Sequence, residues 1–298
     1  MTGFRVRRLL SVAAAAPLAF FIACSQGDTA PPVATVTFSA NKARVPLGSP
    51  VELTYRFNVA PDAKFDNDYR VFVHFVDADG GVLWADDHDP SPPTSQWRAG
   101  QTIQYTRTRF LPVVPFLGEV KVTIGLHRDS VRLPLQGLDP ADRESTTREY
   151  KVGTLHLLPT SENIFIFKKN GWHPTEFAPE NPSLEWEWSQ KVATLTLKNP
   201  RKDVFFYLEF DARTDVFTDR PQQVTIYSGD QVIDTFPASN SGPALKKIPI
   251  TAAQLGTNEM AELRIEVDRT FVPAKLPAGG RDVRELGIRV YNVFVETR

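Results

Sequence analysis

Short segments in which apolar and polar residues alternate run through the chain from about residue 35, with turn residues between them. Successive side chains of a strand point to opposite faces of a sheet, so this period of two predicts half-buried strands. Up to Leu158 the spacing predicts an immunoglobulin-like (Ig-like) antiparallel β-sandwich. Its strand segments are VELTYRF, YRVFVHFVD, QTIQYTRTR, EVKVTIGLH and YKVGTLHLL.

A second series of strand segments follows LPTSEN: KVATLTL, VFFYLEF, QQVTIYS, QVIDTF, AELRIEVD and ELGIRVYNVFVE. Only TAAQLG, near residue 251, indicates a helical turn, and the sequence has no long amphipathic helix or heptad pattern. The pattern therefore predicts an all-β fold of two tandem antiparallel β-sandwich domains, residues 35–158 and residues 159–298.

The first 23 residues differ from the rest. Arg5, Arg7 and Arg8 precede an apolar run of fifteen residues that ends at Cys24, which is the order of a secretory signal peptide. A membrane-spanning helix needs roughly 20 residues, and Pro17 interrupts this run, so export is predicted.

Cys24 is the only cysteine, and FIAC resembles the lipobox of bacterial lipoproteins, whose cysteine receives a diacylglyceryl group. The resemblance implies a signal peptide over residues 1–23, lipidation of Cys24 and a tether over residues 24–34. Acyl chains on Cys24 are expected to hold the protein at a membrane. Ser25 resembles the outer-membrane sorting pattern, so the expected location is the outer membrane of the cell envelope, facing the periplasm or the surface. The alternative is an ordinary signal peptide with a chance cysteine.

Charge and cysteine content narrow the function. Loss of residues 1–23 removes three arginines and no acid, which changes the formal charge from −1 to −4. No basic field remains to attract nucleic acid, so nucleic acid is excluded as a partner. Without a second cysteine, each domain depends on its hydrophobic core rather than on a disulfide.

The segment VDADGGVLWADDHDP, residues 76–90, concentrates five aspartates and one histidine beside a predicted strand. The DADGG part fits a hairpin turn that needs positive φ. In DDHDP, the carboxylates of Asp86, Asp87 and Asp89 supply three or four of the six to eight oxygens that calcium prefers, without the spacing of an EF-hand. Prolines follow directly, so the sequence favours a solvated loop over a structural calcium site, and no cofactor is predicted.

The stretch from Val71 to Ile103 resembles the β-sandwich module that follows the membrane part of bacterial lipid-linked-sugar glycosyltransferases of the protein-mannosyltransferase type. The matching positions are Val71 to Phe75 with His74, Asp77 to Gly80, His88, Asp89, Pro93, Thr94, Trp97, Gly100, Gly125 and Leu126. The resemblance covers about residues 35–158 and implies an accessory role rather than a reaction.

The second half resembles jelly-roll or galactose-binding-like modules of polysaccharide-assembly proteins, through GWHPTE, EWEW and RELGIRV. This resemblance implies a carbohydrate-facing sandwich. In VFFYLEF, Phe205 and Tyr207 lie opposite the apolar face, so they either stack on a sugar or belong to a core covered on both sides. The predicted ligand-binding residues are Trp172, His173, Glu176, Tyr207, Arg284 and Glu285.

Catalytic motifs are missing from the sequence, which has no GxSxG elbow, phosphate loop, HExxH helix or Cys–His pair. Glu176, Glu185 and Glu187 leave open a remote alternative, a glycoside-acting enzyme with paired carboxylates. We therefore predict a non-catalytic envelope lipoprotein that binds a glycan or is associated with polysaccharide. The main alternative is a structural or adaptor lipoprotein that docks onto another envelope protein.

Overall fold

The computed structural model describes residues 30–138, 147–277 and 279–298. Cys24 and the signal sequence lie outside the described residues, as does most of the tether. Within the described ranges, no helix has the length and apolar character needed to cross a membrane.

The first ten strands form two sheets that enclose one hydrophobic core. One sheet has the order β6-β3-β1-β9, and the other has the order β2-β10-β7-β4-β5 with β8 paired to β7. The strands are β1 (Ala34–Ala40), β2 (Arg44–Pro46), β3 (Pro50–Val59), β4 (Arg70–Val76), β5 (Val82–Ala85), β6 (Thr102–Phe110), β7 (Gly118–Arg128), β8 (Val131–Leu133), β9 (Leu135–Gln136) and β10 (Tyr150–Leu158).

The remaining ten strands form a second pair of sheets around a second core. Their orders are β11-β14-β19-β16-β17 and β12-β13-β20-β15-β18. The elements are β11 (Ile166–Lys168), β12 (Glu176–Ala178), β13 (Asn181–Trp188), β14 (Val192–Lys198), β15 (Val204–Asp211), β16 (Gln222–Ser228), β17 (Gln231–Ala238), β18 (Ala244–Ile250), α1 (Ala252–Leu255), β19 (Met260–Val267) and β20 (Arg289–Thr297).

The all-β prediction is confirmed, and the predicted apolar faces are the buried ones. In β4 the side chains of Val71, Val73 and Phe75 are fully buried, and the alternate residues of β7 from Val120 to Leu126 are buried in the same core. Pairing is antiparallel except at two positions, where β9 joins β1 and β2 joins β10 in parallel.

Two local predictions are also confirmed. In the DADGG hairpin, Asp77 Oδ1 accepts hydrogen bonds from the backbone N–H groups of Asp79 and Gly81, at 2.9 and 2.8 Å, and Gly80 has a φ of +89°. Helix α1 begins after Thr251, which forms a capping box with Gln254. Polar side chains thus accept hydrogen bonds from backbone N–H groups of the turn and of the first helical turn, a few residues away in the chain.

The two halves of the chain touch along the outer face of the sheet that contains β15 and β20. Asn163 Nδ2 donates to the backbone carbonyl of Leu47 at 2.8 Å, and Lys247 Nζ lies 2.8 Å from Glu52 Oε1. The rings of Phe110 and Phe294 meet edge to face, with their centroids 6.3 Å apart. Side chains from both halves therefore cover part of this sheet face and leave a cleft beside it.

Candidate functional site: the cleft between the two sandwiches

The predicted solvated loop at DDHDP is wrong for Asp86 and His88, which are only 8% and 4% exposed. The segment continues the line of β5 along β4, since Asp86 N donates to Val73 O and His88 exchanges two backbone hydrogen bonds with Val71, all at 2.9 Å. Alternate residues of the segment consequently point inward. The prolines that follow the segment prevent strand pairing only beyond His88, where this pairing ends.

Three side chains hold the carboxylate of Asp86. Arg107 donates through Nε and Nη2, both at 3.1 Å, and Arg109 donates through Nε at 2.7 Å. The hydroxyl of Tyr55 donates to the same carboxylate at 3.0 Å. Burial alone raises the pKa of Asp86, but the two guanidinium groups outweigh it and hold the pKa below its ordinary value. Asp86 is therefore an ionised, structural carboxylate.

His88 is a neutral member of the same network. Its Nδ1 lies 2.6 Å from the backbone carbonyl of Asp86, which can only accept, so Nδ1 carries the proton. Nε2 then accepts from the hydroxyl of Tyr105, at 2.9 Å. Burial lowers the pKa of His88, and the nearby guanidinium of Arg107 acts in the same direction.

The three aspartates once considered for calcium do not converge. Asp87 Oδ1 accepts the backbone N–H of Val73 at 3.0 Å, and the exposed Asp89 pairs with Arg70 at 3.1 Å, while Asp86 is occupied by two arginines. Across residues 30–138, 147–277 and 279–298, no group of three or more His, Cys, Asp or Glu side chains is placed to hold a metal ion.

Five of the six predicted ligand-binding residues gather at one end of the second sandwich. Trp172 is partly buried against the core and donates through Nε1 to the carbonyl of Thr194 at 3.0 Å. His173 Nε2 lies 2.8 Å from the carbonyl of Glu285. Position 171 must be glycine, because a Cβ there meets the carbonyl oxygen of Val192 at 1.8 Å. This loop is thus packed tightly against its neighbours.

The charged residues at this end bind one another. Arg284 Nη2 donates to Glu176 at 2.6 Å and to Asp282 at 2.7 Å, and Thr270 donates to the Glu285 carboxylate. Hydrogen bonds from Arg284 lower the pKa of Asp282 to about 2. A ligand contact at these side chains remains a prediction, and it requires the ligand to displace partners that are already in place.

Tyr207, the sixth predicted residue, lies on the outer face of the sheet that contains β15 and β20. Of its two alternatives, stacking on a sugar at an exposed face is wrong, and a place in a covered core is the one observed. Tyr207 is only 2% exposed, and its hydroxyl donates to Glu296 Oε1 at 2.6 Å. Lys42 of the first sandwich also pairs with Glu296. Because the first sandwich covers this sheet face, Tyr207 belongs to the contact between the two halves and has no free face for a sugar.

The carboxylates considered for glycoside hydrolysis do not form one group. Glu176 pairs with Arg284, and Glu187 accepts from Lys168 at 2.8 Å. Glu185 is exposed and lines the cleft between the sandwiches. The three side chains therefore have separate surroundings.

The cleft has two lobes. The first, about 400 Å³, lies between β5, the end of β6 and the outer face of the second sandwich. Its polar and aromatic lining residues are Trp84, Asp86, Asp87, Arg109, Phe110, Glu209 and Asn292. Trp84 is stacked on Phe75, with the ring centroids 4.2 Å apart and an interplanar angle of 10°, so the indole is held in one orientation. Asn292 Nδ2 donates to Glu209 Oε2 at 2.6 Å.

The second lobe, about 480 Å³, is also lined by the segment Phe110–Leu111–Pro112. Tyr291 and Glu185 line the second lobe only, whereas Glu209 and Asn292 line both lobes. Tyr291 donates its hydroxyl to Asp211 Oδ2 at 2.8 Å, which fixes its ring. Burial is the main cause that raises the pKa of Tyr291, and the hydrogen bond to Asp211 raises it further.

Sequence reasoning missed this cleft. Trp84 lies within the acidic segment, but Glu209 and Asn292 are more than 120 positions away in the chain. Each is a polar residue between apolar or aromatic neighbours in its strand, which was the available signal. Small-molecule sites are concave, partly apolar, and frequent at domain interfaces, with volumes of roughly 300–1,000 Å³. The cleft meets each of these conditions.

No family model and no curated protein matches the sequence. Among solved structures, β-glucuronidase 2 of Bacteroides uniformis is 11% identical, covering 86% of this chain and 28% of that chain, with a TM-score of 0.29. Spo0M of Bacillus subtilis is 12% identical over 74% of this chain and 91% of that chain, with a TM-score of 0.28. The collagen adhesin of S. aureus is 8% identical over 89% of this chain and 96% of that chain, with a TM-score of 0.18. This chain thus spans less than a third of the glucuronidase, and at these scores no function is transferred.

Proposed function

We propose that this chain is a non-catalytic, lipid-anchored protein of the cell envelope that binds a glycan in the cleft between its two sandwiches. The observation that carries the proposal is the first lobe, where the fixed indole of Trp84 lies beside Asp87, Arg109, Glu209 and Asn292. A sugar ring has apolar faces that stack on aromatic rings and hydroxyls that need both donors and acceptors. The lobe supplies both kinds of contact.

Polar side chains of the first lobe already make hydrogen bonds within the protein and keep further groups for a ligand. Arg109 uses Nε for Asp86 and directs a half-exposed guanidinium to the cleft. Asp87 already accepts from Val73, and Glu209 already accepts from Asn292. A carboxylate has two oxygens with several lone pairs, so each of these side chains can accept a sugar hydroxyl beside the bond that it already makes.

Glycan binding is tested with the full chain in detergent on an array that includes neutral, amino and acidic glycans, followed by titration. We expect Trp84→Ala to weaken the best ligand about tenfold or more, because stacking of an aromatic ring on a planar partner contributes roughly 1–3 kcal/mol. Phe167→Ala, at an exposed aromatic side chain on β11 of the other sheet, is the matched control and is expected to bind normally. Full binding by the Trp84 variant, or no binding by the unmodified chain to any glycan, contradicts the proposal.

Lipid anchoring at Cys24 is the second part of the proposal, and it rests on the FIAC pattern alone. We expect cells grown with labelled fatty acid to label the full chain and not Cys24→Ser, because the thiol is the attachment point. Ser25→Ala is the control and is expected to incorporate label normally. Label in the Cys24 variant contradicts this part.

One observation favours the adaptor function as a second candidate. Phe165 and Phe167, at edge strand β11, are 68% and 50% exposed, and their ring centroids lie 4.6 Å apart. Exposed apolar side chains on an edge strand are suited to pairing with a strand of another protein. Loss of a co-purifying envelope protein in a Phe165→Ser, Phe167→Ser variant, without change in glycan binding, is the result that supports this function.

A further inference from the structure

We infer that the ligand of the cleft is an uncharged oligosaccharide of at least two sugar units, which crosses the segment Phe110–Leu111–Pro112 with one unit in each lobe. The inference rests on the proposed glycan-binding function and adds the size and charge class of the ligand. Its basis is the pair of lobes, which share this segment together with Glu209 and Asn292.

The segment that both lobes share is held in place. Leu111 is 2% exposed, its N–H donates to Ser49 O at 3.0 Å, and its carbonyl accepts from Gly48 N at 3.1 Å. Phe110 is held from the other side by its contact with Phe294. Since both lobes border this segment and the segment is bonded in place, a ligand that fills both lobes has to pass the segment as a chain of linked units.

Each lobe repeats the same pair of elements. The first has the ring of Trp84 with the carboxylate of Asp87, and the second has the ring of Tyr291 with the carboxylate of Glu185. Only the first has a cation, Arg109, so it offers charged donors as well as acceptors and is the stronger subsite. A single sugar is therefore expected to bind in the first lobe, and the second unit adds affinity through the second.

The charge of the second lobe determines the ligand class. Among its described lining residues, Glu185 and Glu209 are the charged ones, and neither a lysine nor an arginine is present. A uronic acid or a sulfated sugar placed there meets like charges in a partly desolvated site. An uncharged unit meets acceptors for its hydroxyl groups without this repulsion.

The test is a calorimetric titration of the full chain with glucose and N-acetylglucosamine and with the β-1,4-linked oligomers of each, from two to four units. We expect affinity to rise about tenfold, a factor equivalent to ~1.4 kcal/mol, from one unit to two in at least one series, with little further gain. Oligogalacturonate of the same length is expected to bind more weakly than the neutral dimer.

Substitutions in the two lobes test whether the gain in affinity from one sugar unit to two comes from the second lobe. Glu185→Ala is expected to lower dimer affinity to the monomer level and to leave monomer affinity unchanged, whereas Trp84→Ala lowers both. Glu262→Ala, an exposed site on β19 of the other sheet, is the control with unchanged binding. Equal affinity for monomer and dimer, tighter binding of oligogalacturonate, or no binding of either neutral series contradicts the inference. If a glycan of another class binds on the array, the proposed function stands and this inference alone fails.

Discussion

Replacement of Asp86 by asparagine is expected to lower the free energy of unfolding by about 3 kcal/mol. The substitution keeps the shape of the side chain and removes its charge, which leaves Arg107 and Arg109 facing a neutral amide. Breaking a buried ion pair costs roughly 3–5 kcal/mol. The lower end applies because the side chains of Arg107 and Arg109 are 23% and 46% exposed and are partly stabilised by solvent.

The measurement is urea denaturation of both proteins at neutral pH, and Asp89→Asn is the matched control. Asp89 belongs to the same DDHDP segment, but its side chain is 80% exposed and its pair with Arg70 lies at the surface. Exposed pairs contribute about 0–1 kcal/mol, so the control is expected to stay near the unmodified protein. Equal stabilities of the Asp86 and Asp89 variants are the result that contradicts the structural role of Asp86.

Replacement of Tyr207 by alanine is expected to cost about 3–5 kcal/mol of stability, the range for removal of a buried aromatic side chain. The ring packs edge to face with Phe294, at 6.4 Å between centroids, and with Phe205 at the same distance. Its loss opens a cavity where the two sandwiches meet, and it removes the donor to Glu296. We expect lower unfolding free energy in denaturant melts, whether or not a glycan is present.

Tyr207→Phe separates the hydroxyl from the ring. It removes the hydrogen bond to Glu296 while Lys42 still neutralises that carboxylate, so a loss of about 1–2 kcal/mol is expected. Glycan affinity is expected to stay unchanged in the phenylalanine variant. A stable alanine variant with weakened glycan binding is the opposite outcome, and it means that Tyr207 contacts the ligand after all.

Strand identity could be predicted from the sequence because it depends on a local property. The period of two in YRVFVHFVD places Val71, Val73 and Phe75 on one face whatever the partner strands are, and the structure buries that face. Strand boundaries were harder to predict in segments where the alternation is less regular. ELGIRVYNVFVE was predicted to be a strand from residue 285, but β20 begins at Arg289, because Leu286 forms a bridge with Phe271.

The burial of polar residues could not be predicted in this way. DDHDP has the composition of a loop, yet it extends β5 with Asp86 and His88 facing inward, because Arg107 and Arg109 project from β6 towards Asp86. A buried carboxylate is stable only when such partners exist. These partners lie more than twenty positions away and on the facing sheet, so no local pattern reveals them.

The sequence by itself determined the all-β class, most strand positions, the DADGG turn and the capped turn at TAAQLG, because each depends on residues that are neighbours in the chain. Only the tertiary structure decided that Asp86 is a core carboxylate, that Tyr207 lies under the first sandwich, and that Trp84, Arg109, Glu209 and Asn292 line one cleft. Burial and convergence are properties of surfaces brought together from distant segments. For Asp86 the physical cause is the packing of the two sheets of the first sandwich, and for Tyr207 and the cleft it is the packing of one sandwich against the other. Composition and periodicity do not encode either of them locally.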